Sequence, residues 1–76
     1  MTTILSVVAV GRLAERSVRQ AGEPVVVEQV LDSLVSLGVA VDRAEAGIRL
    51  ATTIGRLESI ERDGRTYLRI PGAVAA

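Results

Sequence analysis

The 76-residue chain has no cysteine, histidine, lysine, phenylalanine or tryptophan, and Tyr67 is its one aromatic residue. Each absence excludes something. Without cysteine there is no disulfide framework and no thiolate chemistry, a composition that suits a reducing cytoplasm. Without His or Cys, the usual general base, the Ser–His pairing and most zinc sites are unavailable. The seryl residues at 6, 17, 33, 36 and 59 therefore have no partner to activate them. The seven glycines are scattered at the expected element ends and form no phosphate-cradling loop. The expectation is a protein that is not an enzyme and holds no cofactor and no metal. A single aromatic gives no stacking platform for single-stranded nucleic acid. Long apolar runs are also missing. Ile4 to Val10 is interrupted by Ser6 and too short to cross a bilayer, and it lacks the basic start of a secretory signal. A soluble, cytoplasmic protein without a membrane partner is expected.

What is present is a core of Val, Leu, Ile and Ala. Apolar residues make up 49% of the chain, but these side chains bury less area than aromatics do. A single domain over residues 1–72, with 73–76 as a flexible tail, lies near the lower size limit for a self-sufficient core. Dimerisation is the expected supplement. The formal net charge is zero, which argues against coating nucleic acid by bulk electrostatics. The distribution is less even. Residues 1–42 carry three Arg against five acids, and residues 43–76 carry six Arg against four. The use of arginine alone suits bidentate recognition of phosphate or guanine, although GC-rich coding explains it more simply.

Along the chain, a first helix is expected from about Thr3 to Gln20, ending near Gly22. Ile4, Val7, Gly11, Ala14, Val18 and Ala21 alternate at spacings of three and four along one face. Leu5, Val8, Val10 and Leu13 fall largely outside that stripe. Leu5, Val8, Ala9 and Leu13 are the candidate surface for an isologous homodimer through this helix. Glu23-Pro24 breaks the helix, and Val25-Val26-Val27 reads as a short edge strand able to pair with a later hairpin. Glu28 opens helix 2, with Val30, Leu31, Leu34, Val35 and Leu37 at helical period and Gly38 as a left-handed stop. Asp42 is the expected N-cap of helix 3. Ala44, Ile48, Ala51 and Gly55 form its inward stripe, with Arg43, Glu45, Arg49, Thr52, Thr53 and Arg56 left exposed. Strands over about 56–62 and 65–70 flank Asp63-Gly64, a pair in which both residues take φ > 0 and close a tight hairpin. Tyr67 is expected to help cover the aliphatic core.

The order helix, short strand, helix, helix, hairpin resembles the winged helix-turn-helix superfamily over roughly residues 13–70. The carrying fragments are Gly22-Glu23-Pro24-Val25, Leu37-Gly38-Val39 at the turn, Gly55-Arg56-Leu57 at the exit of helix 3, and Asp63-Gly64 at the wing. Two departures stand out: small residues in helix 3 (Ala46, Gly47, Ala51) and a less basic helix 3 than in many DNA-reading members. The resemblance implies an α+β fold, a three-helix winged helix-turn-helix with a C-terminal β-hairpin wing and a short edge strand. It also implies a small transcriptional regulator of double-stranded DNA, with helix 42–54 in the major groove and wing 56–70 on adjacent backbone. The contact residues would be Arg43, Arg49, Thr52, Thr53 and Arg56 on the helix, and Arg62 and Arg65 at the wing tip. The competing possibility for each arginine is a surface ion pair, such as Glu45 with Arg49 four residues on. The competing function is a winged helix that docks a protein and binds no DNA.

Overall fold

The computed structural model describes residues 6–72. The expected helix start at Thr3, Ile4 of its inward stripe, Leu5 of the expected dimer surface and the expected tail 73–76 lie outside the described residues. The element order is α1 (Val7–Ala21), β1 (Val25–Val26), α2 (Val27–Ser36), α3 (Val41–Thr53), β2 (Glu58–Arg62) and β3 (Arg65–Arg69). The strands form one antiparallel sheet in the order β1-β3-β2. This is an α+β layout consistent with a winged helix, with the edge strand paired to the hairpin as expected.

The first helix starts later than its apolar period suggests. Ser6 stands in extended backbone, and its hydroxyl accepts the Ala9 N–H at 3.1 Å, satisfying one of the unpaired donors of the first turn. Thus Ser6 is the N-cap rather than an interior position of a helix running from Thr3. At the other end Gly22 adopts φ 71 and closes the helix. The buried face is Val10, Gly11, Ala14 and Val18, with Val10 wholly inaccessible. Two expectations fail here. Val10 belongs to the core, and Leu13 packs against it, because α1 lies against α2, α3 and β3 and buries a wider arc than one narrow stripe. Ala21, placed on the inward face, is exposed.

Glycine makes the crossing of α1 and α3 close. A Cβ on Gly47 would lie 2.5 Å from Val10 Cγ1, and one on Gly11 would lie 3.0 Å from the Gly47 carbonyl oxygen. Small residues in α3 are therefore the means by which two helices approach, together with Ala14, Ala44 and Ala51.

Both ends of the helix-turn-helix use the same device. After α2, Gly38 takes φ 96, the Val39 N–H donates to the Leu34 carbonyl at 3.1 Å, and the Gly38 N–H donates to Val35 at 2.9 Å. After α3, Gly55 takes φ 83, with Arg56 donating to Ala51 at 2.8 Å and Gly55 to Thr52 at 3.2 Å. These are Schellman closures, each locking a left-handed residue between two carbonyl acceptors. Gly55 is consequently exposed beyond the helix, and Gly47 takes its place in the inward stripe with Ala44, Ile48 and Ala51. Asp42 is not the N-cap. Ala40 holds that position, and Asp42 sits in the first turn, accepting from the Arg43 N–H at 2.9 Å. Burial of Val39 sets where the chain reverses, so the helix begins two residues before an Asp42 cap would start it, while the carboxylate still faces the positive helix end. Likewise α2 opens at Val27, partly buried against the core, rather than at Glu28.

In the hairpin, Asp63 (φ 55) and Gly64 (φ 75) form the two-residue turn, and Arg62 pairs with Arg65 across it. Strand β2 starts at Glu58 rather than Arg56, because the Arg56 and Leu57 N–H groups are both spent on the Ala51 carbonyl.

Candidate nucleic-acid interface

Antiparallel register decides which side chains share a face, since directly opposed residues project to the same side. Val25 opposes Leu68, and both are buried, so that side of the sheet meets the core. The other side carries Val26, Tyr67 and Ile60 in one row across the three strands. All three are half-buried, and Tyr67 lies outside the core. It does not cover the aliphatic interior; it stands in the centre of the sheet's outer face. Toward the turn that face continues with Arg62 and Arg65, and toward the root with Arg69 opposite Glu58. The Arg69 Nε donates to the Glu58 carboxylate.

The residues expected to touch DNA separate into three groups. Arg49, Thr53, Arg62 and Arg65 are exposed, and the three arginines among them form no ion pair with the described residues. The Glu45–Arg49 spacing does not produce a pair. Arg43 and Thr52 are half-buried, and the Thr52 hydroxyl donates to the Ile48 carbonyl at 2.6 Å, within its own helix. Arg56 is exposed but paired, its guanidinium 3.3 Å from Glu15 on α1. Glu15 also takes Arg19 at 2.8 Å. The Arg19 hydrogen bond holds the Glu15 carboxyl below its ordinary value; partial burial opposes this, and Arg56 adds to the lowering. Arg12 and Arg16, one turn apart on α1, are also exposed and unpaired among the described residues.

Sequence reasoning missed two residues of the outer face, Tyr67 and Arg69. The period-2 alternation Arg65, Tyr67, Arg69 was the available signal. It also missed the pattern on α3. The solvent-facing stripe of that helix reads Asp42, Glu45, Arg49, Thr53, at spacings of three, four and four. Its N-terminal half thus presents two carboxylates, beside a Val41 that is 56% exposed.

On α1, Val8 is exposed and Ala9 half-buried, whereas Leu13 is engaged by the core. A cleft of about 140 Å³ beside Val8 is lined by Gly11, Arg12, Leu50, Ile54 and Arg56, joining α1 to the end of α3. No helix among the described residues is long and apolar enough to cross a membrane. No family model matches the chain, and no curated protein or solved structure matches it.

Proposed function

We propose that the protein is a small cytoplasmic transcriptional regulator that binds double-stranded DNA, without catalytic activity and without a cofactor. The observation that carries this reading is the set of exposed arginines Arg49, Arg62 and Arg65, unpaired among the described residues, on the elements that a winged helix turns to DNA. Arg43 and Thr53 flank them, while Arg56 joins only by releasing Glu15 and Thr52 only by releasing the Ile48 carbonyl. Zero net charge makes the affinity depend on these few contacts. Binding then falls steeply with salt, and each phosphate contact removed lowers the logarithmic salt slope by about one. The test is a titration of labelled duplexes at low and moderate salt with the wild type, Arg49→Gln and Arg65→Gln. A wild type with no duplex affinity at low salt overturns the reading.

Two copies would read two half-sites. With Leu13 engaged by the core, the self-association surface is the rim of the α1–α3 cleft, Val8 with Leu50 and Ile54, and Ala9 beside it. Val8→Glu combined with Ile54→Glu should give monomers by sedimentation. A wild type that is monomeric at high micromolar concentration refutes this surface.

One observation favours the protein-docking alternative. Val35, Leu37 and Val41 are exposed around the α2–α3 turn, next to the carboxylates of Asp42 and Glu45. Absence of duplex binding together with loss of a partner interaction in Leu37→Ser would establish that alternative.

A further inference from the structure

We infer that the duplex is engaged chiefly by the outer face of the three-stranded sheet, not by the start of α3. The inference rests on the DNA-binding reading and specifies which element enters the groove. Helix-led docking puts the N-terminal residues of the recognition helix against base edges. Here those exposed positions are Val41, Asp42 and Glu45, and two carboxylates pressed toward phosphates repel them. The sheet offers the opposite chemistry. Register brings Arg62, Arg65 and Arg69 onto one face against the single carboxylate of Glu58. The remaining acids of the hairpin leave that face free: Glu61 projects to the other side and Asp63 lies in the turn.

Between the arginines runs the row Val26–Tyr67–Ile60. An apolar strip edged by guanidinium groups matches a groove wall, where deoxyribose and thymine methyls lie between phosphates. A two-stranded ribbon is narrow enough to enter the major groove. Arg62 and Arg65, directly opposed beside the turn, make the leading pair of cations. Arg69 is anchored through Nε to Glu58, which leaves both terminal nitrogens as donors. The Tyr67 hydroxyl adds a donor at the centre of the strip.

Tyr67 also supplies the readout. It is the one tyrosine of the chain, so protein labelled with 13C at tyrosine reports this face alone. The experiment titrates wild type, Arg65→Gln, Arg69→Gln, Tyr67→Phe, Glu45→Gln and Arg16→Gln into a fluorescein-labelled duplex of mixed sequence at about 0.1 M salt. The 13C-tyrosine spectrum is followed in parallel. The expected result is a loss of about fivefold or more for each hairpin arginine variant. Tyr67→Phe should show a smaller loss. Arg16→Gln, which removes the same charge from α1 away from the α1–α3 cleft, and Glu45→Gln should each change affinity by less than about twofold, because at that ionic strength screening confines charge effects to roughly 10 Å. The Tyr67 ring signals should shift on saturation. Binding that survives the hairpin substitutions, strengthens markedly in Glu45→Gln and leaves the Tyr67 signals unmoved overturns the inference while preserving the DNA-binding function. A wild type that binds no duplex removes both.

Discussion

Replacing Gly47 with alanine tests the packing on which the helical layer depends. The new methyl would lie 2.5 Å from Val10 Cγ1, 2.8 Å from Val10 Cβ and 3.0 Å from the Gly11 backbone nitrogen. Two of these atoms are fixed to the α1 backbone and cannot turn away with a side-chain rotation. The helices must therefore separate, and Val10, Ala14, Ala44 and Ala51, all buried, lose contact with one another. Overpacking of this kind costs about 1–3 kcal/mol. Alanine for glycine inside a helix returns about 1 kcal/mol through propensity. On balance the variant should be destabilised by up to about 2 kcal/mol, and a domain of this size loses roughly 4–8 °C of melting temperature per kcal/mol. The assay is thermal and urea denaturation followed by far-ultraviolet circular dichroism, at one fixed protein concentration so that any association contributes equally. The double variant with Val10→Ala removes the nearest methyl, so its loss should fall short of the sum of the single losses by about 0.5 kcal/mol or more. A Gly47→Ala protein more stable than wild type by the full propensity gain of about 1 kcal/mol would show that the helices are not in this close contact.

Gly64→Val places a β-branched residue at φ 75 in the hairpin turn and should cost about 1 kcal/mol or more; an unchanged melting temperature would mean that the turn is formed differently. Glu15→Gln removes the carboxylate shared by Arg19 and Arg56 and should cost under about 1 kcal/mol at neutral pH, the range of exposed pairs. Because the folded state holds this carboxyl below its ordinary value of 4.5, its contribution is present above that pH and is lost as pH falls through the lowered folded value. Denaturation curves of wild type and variant should therefore converge in acid, and a constant gap down to pH 2 would contradict the assignment.

The layout was legible in the sequence because its punctuation is local. Gly22, Gly38, Gly55 and Gly64 all take positive φ, a demand set by the turn itself and visible from the residue type and its neighbours. Hydrophobic period likewise located α2 and the hairpin, and Pro24 located the break before β1. These features require no knowledge of what lies across the core.

What only the tertiary structure decided concerns partners. Helical period put Val10 and Leu13 outside the inward stripe, but a helix with neighbours on more than one side has no single inward direction, so Val10 joined the core and Leu13 packs, half-buried, against it. Arg56 looked like its fellow arginines until the fold brought Glu15, far away in sequence, to 3.3 Å. Arg69 and Tyr67 acquired their significance from strand register, which aligns them with Arg62 and Arg65 across the hairpin and with Val26 across the sheet. Local residue chemistry specifies where a chain turns; which charges meet, and which face remains open to a ligand, depends on contacts between residues that are distant along it.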